Sequence, residues 1–332
     1  MINLAPAVSE KIAQLLNTSG MLSDDRFTKI TTQCAENKEK IIDELIKKKF
    51  NFKFIKFKSN ICNKKKLQQW IEKNNLDLII HLAARLEHER CSKEEFFKTN
   101  VDGTEQVLNL ANSKNAYFIY VSTTAVYGSP ESPITENTSV DPNGAYALTK
   151  WNGEKICKKY EDGGLEITII RSAPILGQRR LGVYKTIFKN LQNNSFIPVL
   201  GNGDNKLSLV HVEDLVDFLI YLEKNKKPGL TVNFGGKVPG SINQIIQELI
   251  IHGQSKSRIT HIPLQLIGLL KLLAKLKIIP VTSWHLSVMH KDNYYDNELL
   301  FSTGYRYRYE PINALKEMLN YFKQNNKTAE KN

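Results

Sequence analysis

A threonine, a tyrosine and a lysine are the residues of this chain whose types and spacing can do chemistry together. Thr123 closes the apolar run AYFIYVST (116–123), and the stretch Tyr146-Ala-Leu-Thr-Lys150 begins 18 residues after Gly128. A tyrosine serves as a general base near neutral pH only when its phenolate is stabilised, because its free pKa is about 10. Lys150 lies one helical turn from Tyr146 on the same face and supplies the positive charge that favours the ionised form. The Thr123 hydroxyl is the group that would hydrogen-bond a reacting oxygen. The three define a hydride-transfer site. Tyr-x-x-x-Lys alone is a weak signal, since 13 tyrosines and frequent lysine make roughly one chance match. Its position after a strand that ends in Thr123 is what gives it weight.

The elements that must hold these residues follow from the hydrophobic pattern. Short apolar runs FKFIKF (52–57), LDLIIHLAA (76–84), AYFIYVST (116–123) and LEITIIRSA (165–173) alternate with the amphipathic stretches KKKLQQWIEKN, EEFFKTNVDGTEQVLNLANSK and AYALTKWNGEKICKKYED. Strands buried on both faces read as nearly continuous apolar runs, and strands alternating with helices predict an α/β, doubly wound parallel sheet of the Rossmann kind. After residue 174 glycine-rich loops mix with helices, TVNFGG (231–236) returns as one more strand, and a helix follows from about Ile242 to Ile251. No repeat with a period of about 20–50 residues is present.

The ordered set HLAA (81–84), Asn100 in KTNVDGT, VSTTAVYG (121–128), YALTK (146–150), Arg171, LSLVHVEDL (207–215) and VNFGG (232–236) resembles the extended short-chain dehydrogenase/reductases, specifically their NAD-dependent nucleotide-sugar epimerase/dehydratase group. The resemblance runs from about residue 52 to 320 in the expected order. It implies an NAD or NADP cofactor, with a Rossmann-like cofactor domain over 1–173 and a smaller, mainly substrate-binding C-terminal domain over 174–332, of which 205–236 returns to the main sheet. Under it Thr123 is catalytic, Tyr146 is the acid/base, and Lys150 also holds the nicotinamide ribose. Asn60 and Ile61 match the pair that contacts adenine, and His81, Leu82, Ala83 and Ala84 pass the cofactor mainly through backbone. Asn100 and Pro174 fall with the cofactor, and Ala125 and Arg171 with the substrate.

The subfamily is narrowed by what stands in place of the dehydratase pair. The 4,6-dehydratases resemble STDEVYG, whereas Thr124-Ala125 occupy the positions of Asp and Glu here, so elimination of water lacks its acid and base. Ala125 also argues against decarboxylating relatives. What survives is 4-epimerisation or keto-reduction of a nucleotide sugar or a lipid-diphosphate sugar, in glycoconjugate or polysaccharide precursor synthesis.

Three departures oppose that reading. The family opens with a strand, a Gly-x-x-Gly-x-x-Gly turn and a helix whose N-terminus meets the pyrophosphate, but Gly20 is the sole glycine before Gly103. The stand-in is FTKITTQCAENKEKIIDELIKKK (27–49), whose turn offers Gln33, Cys34, Ala35, Glu36 and Asn37, and the second strand with its ribose-binding acid is missing. On the sugar side Leu207 replaces the diphosphate-gripping arginine and Pro174 replaces an asparagine, leaving Arg179, Arg180 and Lys206 as the cations to compensate. The alternative is therefore a non-catalytic relative that binds or assembles without the dinucleotide.

The remaining expectations are coarser. The formal net charge of +12, from 46 Lys plus Arg against 34 Asp plus Glu, is scattered and accompanies no aromatic-basic module, so no nucleic-acid partner is expected. Cys34, Cys62, Cys91 and Cys157 have neither disulfide-framework nor metal-ligand spacing, which predicts a reducing compartment and no metal. Glu10 and Lys11 interrupt the apolar start, no apolar run approaches the roughly 18 residues of a bilayer span, and a cytoplasmic homodimer is expected. The stretch IPLQLIGLLKLLAKLKIIP (262–280) reads as a packing helix with a solvated lysine stripe, membrane contact being the lesser reading. His81 reads equally as a packing residue, His211 as one that orders its loop, and Asp214 as a cap or orienter of the following helix.

Overall fold

The computed structural model describes residues 27–31, 53–57, 61, 62, 64–72, 76–85, 92–178, 181, 182, 184–276, 278, 286 and 289–329. Its strands are β1 (Phe27–Thr31), β2 (Lys53–Phe57), β3 (Leu78–His81), β4 (Tyr117–Thr123), β5 (Ile167–Ser172), β6 (Ile175–Leu176), β7 (Ile197–Leu200), β8 (Val210–His211), β9 (Thr231–Phe234) and β10 (Ile259–Ile262). The helices are α1 (Lys64–Glu72), α2 (Lys93–Phe97), α3 (Gly103–Ser113), α4 (Ala145–Asp162), α5 (Tyr184–Gln192), α6 (Val212–Lys224), α7 (Ile242–Gly253), α8 (Ile267–Lys275), α9 (Glu298–Ser302) and α10 (Pro311–Ala329).

Six strands form one parallel sheet in the order β2-β1-β3-β4-β5-β9, the doubly wound arrangement that the apolar runs predict. The apolar residues of β3, β4 and β5 alternate between two cores, as the two-residue period of a strand requires. Leu78, Ile80, Tyr117, Ile119, Val121 and Ile170 face one core, completed by α6 and β9 through Leu215, Phe218 and Phe234. Ile79, Phe118, Tyr120, Ile167 and Ile169 face the other, completed by α1, α3 and α4 through Leu67, Val107 and Cys157. Helices thus cover both faces. A separate core joins α5, α7 and α10 through Phe188, Leu249, Met318 and Leu319.

β1 sits between β2 and β3, so the chain winds to one side of β1 and then to the other. That is a topological switch point, and the crevice beyond the carboxyl ends of Thr31 and His81, which pair in register, is where open α/β sheets receive ligands. Among the described residues β2 is the edge strand and pairs directly with β1, so two strands precede Asn60. Asn60, Arg179, Arg180 and the turn residues Gln33 to Asn37 lie outside the described residues.

Two elements differ from their sequence reading. The stretch 93–113 is not one helix: α2, opened by a Ser92–Glu95 capping box, passes through a π-helical turn at Lys98–Asp102 before α3 begins. The expected packing helix, α8, contains no buried residue. Leucines on most of its faces could not say which face the protein would cover. No helix among the described residues is long and apolar enough to cross a membrane.

Candidate active site

The site is built where β4 hands over to α4. β4 runs buried to Ser122 and ends at Thr123, whose hydroxyl accepts a hydrogen bond from the Ala125 amide (3.2 Å) and caps a 3-10 turn, Thr124–Tyr127. Gly128 leaves that turn with φ +71°, and a side chain there would collide with the Asp141 carbonyl, so the glycine of VYG is required. α4 then begins at Ala145 with Tyr146 in its first turn and packs against both β4 and the 3-10 turn.

Tyr146, Lys150 and Glu154 succeed one another at four-residue spacing along one face of α4. Lys150 is 2% exposed, and its Nζ lies 3.9 Å from the centroid of the Tyr120 ring. Its ammonium makes no hydrogen bond or ion pair to any described residue, and burial lowers its pKa to about 7. Tyr120 is itself fully buried, which raises its phenol well above the ordinary tyrosine range. Gly153 is what lets α4 approach this ring: a Cβ there would overlap the Tyr120 hydroxyl, which donates to the Lys150 carbonyl (3.4 Å).

Glu154 anchors the same helix face to the sheet. It accepts from the Ser122 hydroxyl (2.5 Å) and is held by Arg171 of β5 through Nε (3.0 Å) and Nη2 (2.8 Å). Arg171 Nη1 donates to the Tyr127 hydroxyl (2.8 Å), which in turn donates to Asn233 of β9 (2.8 Å). Burial opposes the charge on Arg171, but the hydrogen bonds and charge of Glu154 outweigh it and leave the guanidinium above its ordinary pKa. Arg171 was expected to hold substrate. Its side chain is instead 8% exposed and committed to Glu154 and Tyr127, so it ties α4 to β5. Sequence reasoning missed Glu154; its spacing from Tyr146 and Lys150 was the available signal.

Asn100 occupies the π-helical turn and is 1% exposed. Its amide donates to the Arg85 carbonyl (3.2 Å) and to Thr149 Oγ1 (2.9 Å), while its carbonyl accepts from the Arg85 amide (2.7 Å). One side chain therefore fastens the loop after β3 to the turn of α4 that carries Lys150. A π-helical turn adds one residue to the helix and can redirect a side chain in this way.

The other expected residues are placed as follows. Leu82, Ala83 and Ala84 are buried directly after β3, at the carboxyl edge of the sheet. His81 is fully buried, bonded to Thr104 (3.0 Å) and stacked on Tyr120, which makes it a packing residue. Ile61 is also fully buried, in the core of Leu67 and Val107, so its side chain does not face an adenine. Ala125 is half-buried in the 3-10 turn, Pro174 is exposed with its carbonyl bonded to the Val210 amide, and Lys206 is exposed with its amide on Asp292. His211 is the cap of α6, its Nδ1 accepting from the Glu213 amide (3.1 Å). Asp214 does not cap α6: its carboxylate receives the Arg308 amide (2.7 Å) and fixes the segment before α10.

A parallel sheet with a switch point, and a tyrosine and buried lysine one turn apart beside its fourth strand, define a dinucleotide-fold protein. The chain belongs to the NAD dependent epimerase/dehydratase family, whose model matches residues 11–235. It is 30% identical over 280 residues to the uncharacterized protein y4nG of Sinorhizobium fredii, covering 83% of this chain and 69% of that one. It is 31% identical over 193 residues to the N-acetyl-alpha-D-glucosaminyl-diphospho-ditrans,octacis-undecaprenol 4-epimerase of Escherichia coli O157:H7, covering 56% of this chain and 58% of that one. The fold is that of UDP-glucuronic acid 4-epimerase from Bacillus cereus, solved in complex with NAD, with a TM-score of 0.68 at 19% identity over 95% of each chain.

Proposed function

We propose that this chain is an NAD- or NADP-dependent 4-epimerase or ketoreductase acting on a sugar carried by a nucleotide or by a lipid diphosphate. The observation that carries the reading is Lys150: an ammonium 2% exposed, with no hydrogen-bond partner among the described residues, one turn from Tyr146. Burying a charge without a hydrogen bond is costly, so a position serving packing alone would favour an apolar side chain. Unspent donors at the carboxyl side of the sheet suit the hydroxyls of a ribose. A dinucleotide bound on this side would be held by Lys150 and by the backbone of Leu82 to Ala84. When bound, it supplies the hydride acceptor and donor.

The residues of the chain do the rest. Because Thr123 Oγ1 already accepts the Ala125 amide, its own hydrogen is left to donate to the sugar oxygen. Tyr146 takes the proton of the sugar hydroxyl on oxidation and returns it on reduction, and protonated Lys150 lowers the cost of the phenolate between those steps. Asn100 positions Lys150 through Thr149. Thr124 donates to the Ser172 carbonyl (3.4 Å) and Ala125 has no acid group, which supports chemistry without elimination of water.

The test is extraction of NAD(H) or NADP(H) from the purified protein, with turnover of UDP-glucose and UDP-N-acetylglucosamine and of the lipid-diphosphate sugar, and Tyr146→Phe as control. Bound dinucleotide with turnover lost in the variant is the expected result. Absence of both cofactor and turnover overturns the reading in favour of a non-catalytic binding protein.

A further inference from the structure

Helix α8 and its flanks turn leucines away from the protein. Leu264, Leu266, Leu269, Leu272, Leu276 and Ile278 are 42%, 45%, 54%, 53%, 60% and 64% exposed. Half of the large hydrophobic side chains exposed among the described residues are gathered in this one segment. Leu269, Leu272 and Leu276 form one stripe at helical spacing, while Ile267, Leu270, Lys271 and Ala274 make the half-buried inner side. Contiguous apolar surface of this kind marks an interaction site.

Charge says what covers it. Between Glu248 and Asp292 there is no acidic residue, and Lys256, Arg258, Lys271, Lys275, Lys277 and Lys291 all fall there. A second copy seated on this face would bring like charge against like charge, and an anionic surface would not. α8 has nine residues, roughly 14 Å at 1.5 Å each, which is too short to span a hydrocarbon core of about 30 Å. It can only lie flat. We propose that the α8 face docks on the surface of an anionic phospholipid bilayer, with Leu269, Leu272 and Leu276 entering the acyl boundary and the exposed Lys275 at headgroup level. If the active-site reading also holds, which this one consequence requires, the sugar met at that surface is the lipid-diphosphate form.

Flotation of the full chain with phosphatidylglycerol-containing vesicles, against phosphatidylcholine alone, tests the docking. The chain floats with the anionic vesicles, less so as salt rises, and not with the neutral ones. Leu269→Ser/Leu272→Ser/Leu276→Ser lowers the bound fraction at least about tenfold, and Lys275→Gln lowers partitioning about fivefold. Melting temperatures unchanged from the parent show that these variants are folded. Tyr146→Phe floats like the parent, so loss of catalysis and loss of docking are read separately. A parent chain that stays at the bottom, floats equally with neutral vesicles, or self-associates through the leucines without floating overturns the proposal.

Discussion

Helix α4 buries Lys150 and Glu154 to 2% and 3% exposure, whereas helix α8 leaves Leu269 and Leu272 more than half exposed. Each goes against the ordinary partition of side chains, in which charge meets water and leucine meets the core. The reasons differ. In α4 one buried charge is fully compensated, Glu154 by Arg171 and Ser122, and the other is left with donors to spend. In α8 no neighbouring element of the described structure covers the apolar stripe, which stays more than half exposed. The comparison teaches that a buried charge marks a site only when its own fold leaves it unsatisfied: Arg171, also buried at 6% exposure, is committed to Glu154 and Tyr127.

The contrast can be broken from either side. Tyr146→Phe removes the acid/base and is expected to lower turnover by about 10³-fold with unchanged melting, measured by steady-state kinetics and calorimetry. Glu154→Leu leaves the Arg171 guanidinium buried without its counter-charge and costs about 3–5 kcal/mol in chemical denaturation. Adding Arg171→Met to it recovers most of that loss, which a catalytic role for Arg171 in activity assays would not follow.

Lys150→Met abolishes turnover and raises stability, with a pH dependence whose sign is set by burial. The folded pKa of about 7 lies below the ordinary lysine value of 10.5. Below pH 7 both folded and unfolded chains carry the charge, and the parent suffers the full burial cost. Between these pKa values the folded lysine is neutral while the unfolded one is charged, so the parent gains stability as pH rises. The advantage of the methionine variant is therefore largest below pH 7 and fades towards pH 10.5, as thermal melts across pH should show. Gly153→Ala drives a Cβ into the Tyr120 hydroxyl and costs about 1–3 kcal/mol, and Tyr120→Phe in the same chain relieves it only in part, because the ring Cζ still lies 2.8 Å from that Cβ. The serine substitutions in α8 are expected to change stability by less than about 0.5 kcal/mol each, because Leu269, Leu272 and Leu276 are more than half exposed.

Much of the sheet was legible. The runs at 76–84, 116–123 and 165–173 contain β3, β4 and β5, because strands covered on both faces tolerate little but apolar side chains. α4 begins and ends where the stretch AYALTKWNGEKICKKYED does. The π-helical turn at Asn100 was not legible, since its reward is a hydrogen bond to Thr149, 49 residues away. Nor was the capture of Arg171 by Glu154, because strand and helix period say which face a residue shares and not which distant residue it meets. Asp214 was placed on the right helix with the wrong duty, since the segment it fixes lies 94 residues on.

Local chemistry determined the sequence-level answer: which residues could form a phenolate beside an ammonium, and which segments had to be strands. Backbone geometry and side-chain type fix such things within a few turns of chain. Tertiary structure alone decided that Lys150 keeps its donors free while Arg171 does not, and that the leucines of α8 face outward. Both depend on what distant segments deliver to the same volume, and a one-dimensional pattern holds no record of that delivery.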